Sequence, residues 1–126
     1  MATHWTLGGD AREPRRLAEF WAVALGYVAE PGYDFPGGAS IIDPDGTLPA
    51  IGFLAVPEGK TAKNRFHIDI RVAAGQPMDP VVRTARIRDK VAELVAAGAT
   101  VVREESYEHL DHVVMLDPEG NEFCVA

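Results

Sequence analysis

The stretch Ile41-Ile42-Asp43-Pro44-Asp45-Gly46 returns later in the chain as Met115-Leu116-Asp117-Pro118-Glu119-Gly120, displaced by 74 residues. Each copy is an aliphatic pair followed by a turn, in which proline presets one backbone torsion and glycine takes a positive one. A second match has the same displacement, because Leu17-Ala18-Glu19 returns as Val91-Ala92-Glu93. An isolated turn does not explain this equal spacing, so the chain is predicted to contain two copies of one unit.

Both copies have the same predicted order of elements. Apolar residues recur at helical spacing from Leu17 to Leu25 and from Ile87 to Val95, and each helix should end at the glycine that follows, Gly26 or Gly98. The predicted strands are 3–8, 27–30, 39–43 and 50–56 in the first copy, and 66–73, 100–104, 112–117 and 122–125 in the second. Residues 74–80 are predicted to be an extra loop. Strand, helix and three strands thus occur twice, which predicts an α+β fold.

Length and charge limit the classes of function. The 126 residues suit one compact domain, with module one at 1–58, a connector at 59–65 and module two at 66–126. Twelve basic against nineteen acidic residues give a formal charge of −7, which repels phosphate backbones, so no nucleic-acid partner is expected. The net negative charge favours a neutral or cationic ligand.

Membrane and disulfide classes are not expected either. No uninterrupted apolar run approaches the ~18 residues of a membrane span, and the start of the sequence lacks a basic region followed by an apolar one. We therefore expect a cytoplasmic protein with no membrane partner. Cys124 is the single cysteine, so neither an internal disulfide nor a cysteine-cluster zinc site is possible.

Strand alternation predicts a polar surface, because successive side chains point to opposite faces of a sheet. In three predicted strands the apolar residues fall on one face, where they should pack under a helix. If the sheet curves, the polar faces line a concavity that suits a small molecule. The predicted ligand-binding residues on these faces are His4, His67, Asp69, Arg71, Glu122 and Cys124. Phe53 is added as an aromatic surface, from a strand that is apolar on both faces.

Three segments carry a resemblance to a known family. They are Leu17-Ala18-Glu19-Phe20-Trp21 with Leu25-Gly26, Phe53 to Glu58 followed by Lys63 to Asp69, and Asp117 to Val125. The chain resembles the vicinal oxygen chelate superfamily in its glyoxalase-like branch. The resemblance implies two βαβββ modules that form curved mixed sheets with helices on the outer face, assembled as a homodimer.

The resemblance also implies a metal site in catalytic members, with one ligand from each of four strands. His67 matches the family's histidine ligand, and His4 lies near the corresponding place in the first module. The usual glutamate ligand falls at Cys124, and strand 50–56 contains no carboxylate, amide or imidazole. The leading interpretation is therefore a protein without a cofactor that binds a small metabolite or drug in the concavity.

Other interpretations stay open. One is a divalent-metal-dependent lyase or isomerase of glyoxalase type, acting on a substrate with adjacent oxygens, with the ion held by His4, His67 and Glu122. Another is catalysis without a metal, with His67 as general base. Cys124 as a nucleophile is the weakest, because a buried, inert thiol is much commoner at such a position.

Overall fold

The computed structural model describes residues 1–73 and 78–126, which form two compact units, residues 1–59 and 60–126, here called the first and second modules. Their elements are β1 (Leu7–Ala11), α1 (Pro14–Leu25), β2 (Val28–Ala29), β3 (Gly38–Ile42), β4 (Ile51–Ala55), β5 (Asp69–Ile70), α2 (Pro80–Ala96), β6 (Thr100–Ser106), β7 (Leu110–Leu116) and β8 (Glu122–Val125). The predicted repeat of strand, helix and three strands is confirmed. The predicted loop at 74–80 lies mostly outside the described residues.

The two modules have the same sheet topology. The first has strand order β1-β4-β3-β2 and the second β5-β8-β7-β6. In each, the first strand runs parallel to the last, with Leu7 opposite Ile51 and Asp69 opposite Cys124, and the other pairs are antiparallel. Two helices and two four-stranded mixed sheets confirm the predicted α+β class.

Each helix packs its apolar stripe on one face of its own sheet. In the first module Leu17, Phe20 and Trp21 are buried, together with Ile41 and Ile51 of the sheet. In the second module the buried residues include Ile87, Leu94, Val113, Met115, Phe123 and Val125. Val95, predicted to belong to this stripe, is 47% exposed, because it lies about 100° around the helix from Leu94.

The repeated turns owe their shape to a buried aspartate. The Asp43 carboxylate accepts hydrogen bonds from the backbone N–H groups of Asp45 and Leu48, both at 2.9 Å, and Asp117 accepts from that of Asn121, also at 2.9 Å. Hydrogen bonds from the Asp45 and Leu48 N–H groups lower the pKa of Asp43. The repeated motif is thus a turn closed by its own side chain.

Two strand predictions need correction. β1 begins at Leu7 and not at residue 3, because its parallel partner β4 begins at Ile51 and the Leu7 N–H already bonds the Ala50 carbonyl at 2.9 Å. β5 covers Asp69–Ile70 and not 66–73, since only this part pairs regularly with the short β8. Among the described residues, neither helix has the length and apolar character to cross a bilayer.

Candidate functional site

The second sheet has one face covered by α2 and one face turned away from it, here called the open face. Strand pairing assigns side chains to the two faces. Ile70 and Val125 are opposite one another and buried, so their neighbours Asp69 and Cys124, which are also paired, point to the open face. The open face therefore carries Asp69 and Cys124, two of the polar residues predicted from alternation.

Three groups on this face lie close together. The Nδ1 atom of His67 is 2.7 Å from Oδ1 of Asp69, and both side chains are about half exposed. One ligand atom from each of His67, Asp69 and Cys124 can be chosen so that all lie within 4.8 Å of one another. A carboxylate at Nδ1 fixes the orientation of the imidazole and one of its tautomers.

The thiol of Cys124 is held in its protonated form. Burial raises the pKa of Cys124, and the Asp69 carboxylate raises it further by its charge and by accepting a hydrogen bond from the thiol. Because the thiolate is the nucleophile, a raised pKa lowers the reactivity of this cysteine at neutral pH. This agrees with the expectation from the sequence that a thiol at this position is more often inert than nucleophilic.

The Glu122 carboxylate forms an ion pair with Lys63. Lys63 Nζ lies 3.2 and 3.1 Å from the two carboxylate oxygens, and this hydrogen bond lowers the pKa of Glu122. Asn64 holds the same segment, since its Nδ2 donates to the Glu122 carbonyl at 3.0 Å and its Oδ1 accepts from the Glu122 N–H at 3.2 Å. The predicted connector is thus bonded to β8 and is largely part of the second module.

Arg103 adds a cation to the open face. It lies opposite Val114, which is itself opposite Cys124, so Arg103 and Cys124 share a face. Its Nε donates to Glu105 Oε1 at 2.6 Å, and this bond raises the pKa of the guanidinium above its ordinary value. Lys63, Asn64 and Arg103 are not among the site residues predicted from the sequence. The alternation of side chains in β6 could have indicated Arg103, but Lys63 and Asn64 lie outside the strands and have no such signal.

The remaining predicted site residues are Arg71 in the second module, and His4 and Phe53 in the first module. Arg71 follows β5, is exposed, and has the same parity as Asp69. His4 is exposed and precedes β1, in a groove formed by residues 2–6 and 46–50. Phe53 is 7% exposed and lies opposite Gly9 on the helix-covered face of the first sheet. The structure therefore brings together His67, Asp69, Glu122 and Cys124, and it buries Phe53 in the core of the first module.

The donor atoms do not fit the four-strand metal site that the resemblance implies. In β4 the positions turned away from α1 are Gly52, which has no side chain, and Leu54, whose side chain cannot ligate a metal. In β8 a thiol stands where the carboxylate is expected, and the carboxylate of Glu122 already pairs with Lys63. A three-donor set of imidazole, carboxylate and thiol suits a borderline ion such as zinc instead.

Comparison with known proteins agrees with this fold. The family model of the glyoxalase-like domain matches residues 6–126. A glyoxalase/bleomycin resistance protein/dioxygenase family enzyme from Burkholderia phytofirmans PsJN is similar, with TM-score 0.71, 21% identity, and coverage of 95% of this chain and 94% of that chain. A possible glyoxalase from Bacillus cereus follows with TM-score 0.69, 15% identity, and coverage of 99% and 98%.

A more distant similarity is to the fosfomycin resistance protein FosX from Mesorhizobium loti, with TM-score 0.67, 10% identity, and coverage of 99% of this chain and 91% of that chain. At these identities the similarity shows the fold alone. No curated protein matches the chain. The match of the family model over residues 6–126, together with two βαβββ modules of one topology, shows that this chain belongs to the glyoxalase-like domain family.

Proposed function

We propose that this chain binds a small organic molecule through the open face of the second sheet, and that His67, Asp69, Glu122 and Cys124 contact it. The observation that carries the proposal is the gathering of these groups on one face, with His67 and Asp69 hydrogen-bonded at 2.7 Å. Lys63 and Arg103 add donors beside the carboxylates, so the face offers both donors and acceptors. Such a set recognises a ligand rich in hydroxyl or carbonyl oxygens.

The pairing of the charged groups favours binding without a metal. Each carboxylate of the site already has a hydrogen-bond donor, Lys63 for Glu122 and His67 for Asp69. A divalent ion would have to displace these donors and also remove the proton of Cys124, whose pKa is raised by burial. A polar organic ligand can exchange hydrogen bonds with the same groups without these costs.

A thermal-shift screen tests the proposal. Wild-type protein is mixed with a panel of small hydroxy acids, diols, sugars and neutral oxygen heterocycles, since a bound ligand at 100 times its Kd adds about 2.7 kcal/mol to the free energy of unfolding. Compounds that stabilise the wild type should not stabilise His67→Ala. They should still stabilise His109→Ala, the matched control in an exposed loop of the same module. Equal stabilisation of the two variants would contradict the proposal.

The second candidate is a metal-dependent lyase or isomerase, and one observation favours it. One donor atom each from His67, Asp69 and Cys124 can be chosen so that all three lie within 4.8 Å of one another, whereas the ligands of tetrahedral zinc are about 3.5 Å apart. When bound, such an ion would supply Lewis-acid stabilisation of a substrate anion. In this candidate His67, Asp69 and Cys124 hold the ion, in place of the set His4, His67 and Glu122 expected from the sequence, and Lys63 keeps Glu122 ionised beside it.

Cobalt substitution separates the two candidates. Chelator-treated protein titrated with Co²⁺ should develop the thiolate charge-transfer band in the near ultraviolet if Cys124 is a ligand. The band should be lost in Cys124→Ser and weakened in Asp69→Asn. Elemental analysis of untagged wild-type protein gives the number of metal ions bound per chain after purification. About one metal ion per chain with this band would support the lyase candidate over binding without a metal.

We also propose that the chain is a cytoplasmic homodimer, as its family resemblance implies. Light scattering during size-exclusion chromatography should give about twice the chain mass of 13.6 kDa. A mass equal to one chain at all concentrations would contradict the dimer.

A further inference from the structure

A groove of about 690 Å³ lies in the first module, between α1 and the segment that carries β2, the following loop and β3. Its volume is within the range of sites for drug-sized molecules, roughly 300–1,000 Å³. None of the predicted site residues lines this groove. It is therefore a separate candidate for ligand binding, independent of the proposed function.

The lining is apolar and partly aromatic. Val23 of α1, Val28 of β2, and Tyr33 and Phe35 of the loop each leave between 39% and 52% of their surface exposed. Large apolar side chains gathered around one concavity typically mark a binding surface, whereas scattered ones carry no such meaning. The two aromatic rings also offer π faces, which attract a cation.

The aromatic wall is held in place by the backbone. The Gly38 N–H bonds the Phe35 carbonyl at 3.1 Å, and the Tyr33 N–H bonds the Glu30 carbonyl at 3.2 Å. A Cβ atom at Gly38 would lie only 2.6 Å from the Tyr33 hydroxyl and 3.1 Å from the Phe35 ring. Glycine at this position is what allows both rings to approach β3, so the wall is a built feature of the fold.

The charges around the groove select the sign of the ligand. Three carboxylates line it, those of Glu19, Glu30 and Asp34, against one guanidinium, that of Arg15. Arg15 and Asp34 are 3.9 Å apart and are 71% and 94% exposed, so their mutual attraction is weak. The groove thus combines a negative rim with an aromatic wall.

We propose that this groove binds an amphipathic organic cation, a molecule with an aromatic or bulky apolar body and one positive charge. The apolar body lies against Val23 and Val28, and the charge lies near the rings of Tyr33 and Phe35 and the carboxylates of Glu19 and Glu30. Desolvation of the apolar body supplies affinity, and the carboxylates exclude anions of the same shape.

A pair of ions with nearly identical shape tests the proposal. Tetraphenylphosphonium is the cationic probe and tetraphenylborate its anionic match, each titrated by calorimetry into the full chain at constant ionic strength. The cation should bind at least about tenfold more tightly than the anion. Failure of the cation to bind, or equal affinity for the two ions, would overturn the proposal.

Variants locate the binding. Glu19→Gln with Glu30→Gln should weaken the cation about fivefold to tenfold, whereas Asp45→Asn with Glu58→Gln, which removes the same charge elsewhere in the first module, should not. Phe35→Leu, which keeps an apolar side chain but removes the ring, should also weaken it. Equal effects of the two double variants would show attraction to the net charge alone and overturn the proposal. A change from dimer to monomer mass in Phe35→Ser would also overturn the proposal, because it would show that a second copy of the chain fills the groove.

Discussion

At the level of single residues, the environment of Cys124 determines what this thiol can do. It lies beside Asp69 on the open face. Both its partial burial and the neighbouring carboxylate favour the protonated form of the thiol. The residue type alone is compatible with a nucleophile, a metal ligand or an inert core residue. The surrounding charges favour a thiol that is unreactive in the absence of a ligand or metal ion.

The reactivity of Cys124 provides a direct prediction. Asp69→Asn removes the nearby negative charge, so the pKa of the thiol should fall and its rate of reaction with iodoacetamide at neutral pH should rise, by about threefold to tenfold. The measurement is the rate of alkylation as a function of pH, followed by mass spectrometry. Glu108→Gln, an exposed change in the same module, is the control. A pH–rate profile unchanged by Asp69→Asn would contradict the interpretation.

The buried turn aspartate gives a pH-dependent prediction. Hydrogen bonds to its ionised form hold the pKa of Asp43 below that of an unfolded aspartate, about 3.9. Its contribution to stability is therefore complete above that value and is lost as the pH falls through the lower folded pKa. Asp43→Asn should unfold at lower urea concentration than wild type at pH 7, and this difference should shrink on acidification below pH ~4.

The control for this turn is Asp45→Asn. The Asp45 side chain is exposed, so its substitution should change the free energy of unfolding by less than about 0.5 kcal/mol. A difference between Asp43→Asn and wild type that stays constant from pH 7 to pH 2 would show that the hydrogen bonds to the ionised carboxylate are not the cause.

At the level of elements, the end of α2 depends on the backbone freedom of Gly98. This residue has φ +116°, and a Cβ atom built on it would lie 3.3 Å from Cγ of Pro118 in the repeated turn. The helix end and the turn therefore approach closely at a position where the chain also needs an unusual torsion. The sequence predicted the stop, but it did not predict the contact with Pro118.

Gly98→Ala should lower the free energy of unfolding by about 1–2 kcal/mol, through backbone strain and the contact with Pro118. Urea unfolding at neutral pH measures this change. Gly8→Ala is the matched control, because its added Cβ would meet nothing within 4 Å and its φ is not positive. The control should be neutral or slightly stabilising. Equal stability of the two variants would contradict the role assigned to the helix end.

Periodicity in the sequence predicts which face of a strand a side chain lies on, but it does not predict where the strand begins or ends. Alternation placed Asp69 and Cys124 on one face correctly, because side-chain direction follows the pleat. It placed β1 too early, since a strand extends only as far as its partner, and Ile51 opposite Leu7 sets that limit. The faces of β4 could not be assigned from an apolar run, and the low exposure of Phe53 in the structure shows that this side chain is in the core.

At the level of the whole molecule, the fold could be predicted because it is repeated. Two matches displaced by 74 residues predicted the order of elements in both modules, and the two sheets share one strand order. The complete site could not be predicted in this way. Lys63 and Glu122 meet across 59 residues of sequence, and nothing in local periodicity indicates which distant charges will pair.

The central claim is that the open face of the second sheet, with His67, Asp69, Glu122 and Cys124, contacts a small-molecule ligand. The most direct measurement is amide chemical-shift mapping of the ¹⁵N-labelled chain with the compound that stabilises it most in the thermal-shift screen. The predicted result is that the largest shift changes fall on residues 67–70 and 122–125. Large changes elsewhere, with these amides unmoved at saturating compound, would contradict the claim.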